Sequence, residues 1–414
     1  MNLNQIKKSL LCATLGMALS ACGLTSGGNT QVQIAGKKTI EQRVADKSYP
    51  AVFQAWNPLD MPSKYPTDTH EQFLDNAAKH SLIWEEPVSQ LGFDTKLVFG
   101  LVWDHKHAGL ATSFTKESLA EAKKNLTYLL DKNPNIVSLF EVRWRDAPGS
   151  YLPENSEFWL RDAQGNRVQG WTGGPEPYYM LNYKNEAFQK RLGEQAKAVV
   201  ESGIYDGVML DWSGYLPIVK IVREYMGEDA LLTVNIHDEI DKGEKYKKYI
   251  NGAFMECGPN GRMPDNPKKL CTWDSMAKSL KFYEENLRSP QINALEAWGQ
   301  RHDLQSMRAV TTLGLTHSDG YVLFADYNPV PTPDHMHDWY SFWDVNLGDP
   351  LGQGRKLDDG ATTRSFTNAE VFYNPEGNKT IHIEFNLPHQ SSATGKVGTE
   401  FNIKPMDGDI FIKL

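Results

Sequence analysis

The chain has 414 residues, 40% of them hydrophobic and 23% charged, enough for one large globular domain and a smaller one. Its formal net charge is -9, and residues 1–21 hold two lysines and no acid, which leaves -11 for the remainder. That balance excludes general binding to nucleic acid or to anionic lipid.

The amino terminus reads as an address. Lys7-Lys8, the apolar run from Leu10 to Leu19 and the sequence Leu19-Ser20-Ala21-Cys22 predict a signal peptide over 1–21, too short to span a bilayer. The ending resembles a bacterial lipobox. The resemblance implies cleavage before Cys22, lipid such as palmitate on that residue, and a place in the bacterial cell envelope. Gly23 rather than Asp follows, which by the same resemblance points to the outer membrane. Membrane contact is expected through this anchor alone. Residues 22–45 are rich in Gly, Ser, Thr and Gln and read as a flexible tether.

Strand-like runs then recur at 51–56, 81–85, 96–103, 136–142, 208–210, 231–236, 252–255, 292–297 and 321–325. Helical patterns separate most of them. One covers 69–79. Another starts at Thr115 and sets Leu119, Ala122, Leu126, Leu129 and Leu130 on one face. A third is capped by Asn185, carries Phe188, Leu192, Ala196 and Val199, and stops at Gly203. Two more cover 275–287 and 304–315. Alternation of this kind predicts an α/β fold, a (β/α)8 TIM barrel over 46–355. Nine strand candidates compete for eight places, and one of the two between Ser81 and Trp103 is surplus. A doubly wound sheet is the alternative, weakened because no Gly-x-Gly-x-x-Gly or P-loop follows any strand.

Residues 145–183 are a long excursion, with a hairpin expected over 158–168 and an aromatic, Gly- and Pro-rich loop over 171–179. Loops this long inside a compact domain usually carry function. Residues 356–414 change character. Hairpins turning at 374–378 and at 406–408 predict a small, all-β, sandwich-like domain.

The strand ends share a chemistry. Acids stand at Glu85, Asp104, Glu141, Asp211, Glu256, Glu296 and Asp326, and aromatics at Trp56, Trp84, Trp103, Trp144, Trp212, Trp298 and Tyr327. The C-terminal strand ends are where barrels do chemistry. An acidic, aromatic cleft suits sugars, because flat rings pack on pyranose faces and carboxylates accept from hydroxyls. Arg143 beside Glu141 is either a substrate ligand or half of an ion pair, and Asn235 ends the next strand. The expected substrate contacts are therefore Trp56, Trp103, Glu141, Arg143, Trp144, Trp212, Asn235, Glu296, Trp298 and Asp326.

The stretch Tyr205 to Trp212 resembles the central strand of the TIM-barrel families grouped as hypothetical glycoside hydrolases, which are similar to the endo-α-1,4-polygalactosaminidase family. Phe158-Trp159-Leu160-Arg161-Asp162 with Gly165, Met180-Leu181-Asn182-Tyr183, Trp339-Tyr340, Asn346-Leu347-Gly348-Asp349-Pro350, and Arg364-Ser365-Phe366 with Val371 and Asn374-Pro375 extend it from about Tyr49 onward. The segment from Ser81 to Trp144 does not align with that pattern. The resemblance implies a two-carboxylate glycosidase acting on an envelope or extracellular polysaccharide. It places a nucleophile after strand four, Asp211, and an acid/base after strand six, Glu256. Asp211 with Glu296 is the competing pair.

Two other readings stay open. His105, His107, His237 and Asp326 resemble pieces of a metal-dependent hydrolase, although strand six offers Glu256 where such a site wants His. The barrel could instead bind glycan without cleaving it. No metal or other cofactor is expected. With Cys12 in the leader and Cys22 lipidated, Cys257 and Cys271 are expected to pair as a disulfide in an oxidising compartment.

Overall fold

A computed structural model describes residues 38–56, 69–86, 97–173, 176–261, 268–327 and 335–414. The leader, Cys22 and most of the expected tether lie outside these residues. The tether's last residues are a helix, not a linker. Helix α1 (Ile40–Ala45) opens on a capping box made by Thr39 and Gln42. Its Arg43 is buried and forks onto Asp206, whose carboxylate also accepts from the Ser138 amide. A charge this deep is tolerable only when paired, and the pair plugs the N-terminal end of the barrel.

In chain order there follow β1 (Phe53–Gln54), α2 (His70–Ala77), β2 (Leu82–Glu85), α3 (Lys116–Lys132), β3 (Val137–Glu141), β4 (Asp146–Pro148) and β5 (Tyr178–Met180). Then come α4 (Glu186–Glu201), β6 (Gly207–Leu210), α5 (Leu216–Met226), β7 (Leu231–Asn235), α6 (Ile240–Tyr246) and β8 (Gly252–Cys257). The last barrel elements are α7 (Trp273–Asn286), β9 (Ala294–Gly299), α8 (Leu304–His317) and β10 (Tyr321–Asp326). Eight strands form one parallel sheet in the order β1-β2-β3-β6-β7-β8-β9-β10. Val52 bridges Val322 and the Val322 amide donates to the Ala51 carbonyl, which closes the sheet into a barrel. The strands are buried on both faces, which is why they read as apolar runs without alternation. Gly207 is required by the packing of β6 on β7, since a Cβ there would sit 1.8 Å from the Leu231 carbonyl oxygen.

The surplus strand is 96–103. Its described part, from Leu97, is apolar enough for a strand, but its backbone donors go elsewhere. The Val98 and Phe99 amides donate to the side chain of Glu85, and the Val102 amide to Ser118. A buried carboxylate has taken the place of a ladder, so the segment lies outside the barrel. The hairpin expected at 158–168 is present in short form: the antiparallel Arg161–Arg167 bridge is flanked by bonds from the Asp162 amide to the Asn166 carbonyl and from the Val168 amide to the Leu160 carbonyl, and Asp162 caps the Gln164 and Asn166 amides at the turn.

Beyond the barrel stand β11 (Arg355–Lys356), β12 (Thr362–Ser365), β13 (Ala369–Asn374), β14 (Ile381–Ser391), β15 (Val397–Ile403) and β16 (Asp407–Lys413). They form a single six-stranded antiparallel sheet, order β11-β12-β13-β16-β14-β15, rather than two facing sheets. Neither expected hairpin pairs as such. β16 inserts between β13 and β14, and β15 moves to the edge beside β14. The physical reason is that β16 is apolar on both faces. Ile410 packs toward the barrel and Phe411 into an outer cluster with Phe372 and Phe401, and a strand with two apolar faces belongs in the middle. Arg308 of α8 forks onto Asp407 and fastens the sheet to the barrel.

Candidate active site

Three successive strands deliver the centre. Asp211 follows β6, Asn235 ends β7 and Glu256 lies near the end of β8, all at the C-terminal rim. The Asn235 amide nitrogen donates to Asp211 Oδ1 at 2.9 Å and to Glu256 Oε2 at 2.8 Å. One side chain thus holds both carboxyls. Asn235 is itself buried, and among the described residues its amide oxygen has no hydrogen-bond partner. Asp211 and Glu256 are half-buried, whereas Glu85, Glu141 and Glu296 are buried. Of these strand-end acids, only the bridged pair is partly exposed.

Electrostatics separate the pair from ordinary carboxylates. Burial pushes the Glu256 carboxyl up to about 8, with Asp211 and Glu296 adding repulsion and His335 opposing it. Burial also raises Asp211, against the bond from Asn235, the positive field of Arg143 and the Trp212 amide. A carboxyl protonated at neutral pH beside one that receives several donors is the asymmetry acid–base catalysis needs.

Behind the pair is a buried network. Glu141 accepts from the Trp56 indole and lies 3.3 Å from Arg143, which also pairs with Glu86. Arg143 is thereby an internal brace. His335 donates to both oxygens of Glu296 at 2.9 Å and lies against Trp56 with ring centres 4.4 Å apart. Trp144 donates to the Asp211 carbonyl at 2.6 Å and packs edge-on to Tyr183, itself 5.1 Å from Tyr215. Trp212 is 41% exposed with the Arg145 guanidinium over one face. The excursion after β3 and the loop after β8 both leave from this rim, and a disulfide joins Cys257 to Cys271 across the latter.

Backbone strain marks the same place. Among the described residues six non-glycine residues are left-handed; Trp56, Trp212 and His237 lie two residues beyond strand ends at φ of 52°, 63° and 50°, and His335, at 61°, lies in the segment after β10. Left-handed conformations of bulky residues are costly and gather where a side chain must be aimed. Nothing in the sequence signals them. His335 was missed as a site residue for that reason and because the chain holds many scattered histidines.

Several expected residues stand elsewhere. Trp103 is buried, stacked on Phe114 with ring centres 4.1 Å apart, and Trp298 is 1% exposed within β9, so both are packing residues. Asp326 is tied to Arg301. Glu85 accepts from Tyr205 and from the backbone at Val98 and Phe99. His105 and His107 turn to the carbonyls of His107 and Ser150, and His237 to that of Glu256. Among the described residues no three His, Cys, Asp or Glu side chains converge as metal ligands, and no helix is long and apolar enough to cross a membrane.

No family model and no curated protein matches the chain. Among solved structures it is similar to an α-amylase from Malbranchea cinnamomea, with TM-score 0.52 and 11% identity over 91% of this chain and 97% of that one. It is also similar to a noncanonic maltogenic α-amylase from Thermotoga neapolitana, with TM-score 0.51 and 12% identity over 88% and 99%. A pullulanase from an Anoxybacillus species, solved with maltotetraose, gives TM-score 0.50 and 8% identity over 83% and 64%. At such identities the likeness is one of fold: a parallel eight-stranded barrel followed by a β sheet.

Proposed function

We propose that this chain is a glycoside hydrolase in which Asp211 is the nucleophile and Glu256 the acid/base. The observation that carries the reading is the Asn235 amide bonded to both carboxyls at once. Those two bonds bound the separation of the acceptor oxygens at about 5.7 Å, which suits the about 5–5.5 Å spacing of retaining enzymes better than the wider gap that admits a water. Glu256, proton-loaded at neutral pH, can protonate the leaving oxygen, and Asp211 can attack the anomeric carbon. Glu256 then takes a proton from the water that releases the sugar. The structurally similar proteins named above, two amylases and a pullulanase, support the reaction class and leave the sugar open.

The substrate is taken to be an envelope or extracellular polysaccharide, with the chain held to the membrane by lipid on Cys22. Both parts rest on the leader sequence, and the resemblance to the polygalactosaminidase group on the motifs quoted above. The test is to incubate the soluble domain with envelope and biofilm polysaccharides, assay reducing ends, and follow the product anomer by NMR. Reducing ends that Asp211→Asn and Glu256→Gln abolish, released with retained configuration, are expected. Binding without turnover by wild type would give the barrel to glycan recognition instead.

A further inference from the structure

Glu296 and His335 form a buried pair directly behind Glu256. Glu296 is the register partner of Glu256 across the β8–β9 ladder, so both side chains leave the sheet at the same level. Glu296 is 0% exposed and is bonded on both oxygens by His335 Nδ1. With Nδ1 turned to Glu296, Nε2 is the ring nitrogen left to gain or lose a proton. The ring is fixed on a second side by Trp56, whose indole is anchored on Glu141, and the His335 backbone is left-handed. A group held this firmly is set for position.

We infer that His335, oriented by Glu296, is the positioning residue that sets the proton affinity of Glu256. The inference rests on the reading of Glu256 as acid/base. Among the described residues the titratable groups around Glu256 are Asp211 after β6, His237 after β7, bonded to the Glu256 carbonyl, Glu296 from β9 and His335 from the segment after β10, with the neutral Asn235 amide from β7. Glu141 and Arg143 stand one layer further back, against Asp211. His337, the next titratable group beyond His335, is pushed down to about 4 by burial and stays neutral. Protonated, His335 offsets the two carboxylates beside Glu256, Asp211 and Glu296. A retaining acid/base must release its proton and recover it in each turnover. Left to Asp211 and Glu296 alone, the carboxyl would hold its proton too tightly for the second half of the cycle.

The experiment needs no substrate. The soluble domain is labelled at glutamate carboxyl carbons and titrated by NMR, with the Glu256 signal assigned by its loss in Glu256→Gln. In wild type the midpoint lies near 8. In His335→Gln it should rise by at least about half a pH unit, because removing a cation favours the neutral acid. Reciprocally, the His335 imidazole should titrate lower in Glu256→Gln, which loses the anion that favours imidazolium. This second arm keeps the imidazole and stands even if His335→Gln fails to fold. Once a substrate is known, the alkaline limb of the rate profile should move up with the Glu256 midpoint. Midpoints unmoved in folded variants would overturn the inference whether or not any polysaccharide is cleaved. A failed polysaccharide screen would count against the enzyme reading and leave the coupling standing.

Discussion

The guanidinium of Arg145 lies 3.7 Å from the centre of the Trp212 ring. One face of an exposed tryptophan, set immediately after Asp211, is thus covered from within the protein, and Arg145 is steadied in turn by buried Asp146 at 3.4 Å. Under the proposed function, the uncovered face would be the platform for a sugar ring. Trp212→Ala should raise KM about tenfold, about 1.4 kcal/mol, with kcat changed less. Arg145→Ala should cost about 0.5–1 kcal/mol of the same binding, by loosening the ring. Steady-state kinetics, or quenching of tryptophan fluorescence by oligosaccharide, reads both. Equal affinity in wild type and Trp212→Ala would remove the platform from the site.

Asn235 stabilises the ionised form of both carboxyls, so its loss should move both limbs of the pH–rate profile the same way. Under the proposed mechanism, activity should appear as Asp211 ionises and disappear as Glu256 loses its proton near pH 8. In Asn235→Leu both groups bind protons more tightly, and the whole bell should shift to higher pH with a lower maximum. A bell that shrinks without shifting would mean that the amide acts on substrate alone.

Glu85 makes a separate prediction about stability. Burial lifts its carboxyl to about 7, against bonds from Tyr205, Val98 and Phe99. A group whose folded-state value is raised binds its proton more tightly in the folded chain. Stability is therefore fullest below the unfolded value near 4.5 and falls as pH rises toward 7. The loss is about 3 kcal/mol at 1.4 kcal/mol per unit. Glu85→Gln keeps the acceptor for the amides and should flatten this part of the Tm-versus-pH curve between pH 5 and 8. An unchanged slope would show that Glu85 is not its source.

Cys257 and Cys271 are 14 residues apart in sequence. Closing a loop of that length stabilises by roughly 3 kcal/mol on the chain-entropy model. Cys271→Ser should lower the denaturation midpoint accordingly and raise KM more than it lowers kcat, because the loop wall beyond Glu256 loses its tie while Glu256 stays on β8. A variant with wild-type stability would make the bond incidental.

The eight barrel strands were legible because a strand buried on both faces leaves an unbroken apolar run, and Asp211 and Glu256 were legible because each ends such a run. Residues 96–103 leave the same trace and are not a strand, since no local pattern shows that Glu85 will take their amides. Order within the C-terminal sheet was hidden for a related reason. Turns at 374–378 and 406–408 are readable, but which strand comes back between them depends on two-faced burial of β16. The supporting layer was hardest. Trp56, His237 and His335 are aimed by left-handed backbone that ordinary side chains do not announce, and His335 reaches Glu296 from another strand end. Trp103 and Trp298 misled in the opposite sense, since an aromatic at a strand end is equally suited to line a cleft or fill a core.

β16, made after every other strand of its sheet, lies at the sheet's centre, hydrogen-bonded to β13 along one edge and to β14 along the other. During synthesis, then, β13 and β14 wait with open edges, and α8 waits with the partner of Arg308 still missing, until residues 407–413 leave the ribosome. The two halves of the sheet, β11-β12-β13 and β14-β15, pair without β16 and are joined only through it. A stop codon placed ahead of residue 407 would not trim the surface. It would delete a central strand of 7 residues, part the sheet in two and uncover the flank of the barrel helix that the sheet protects.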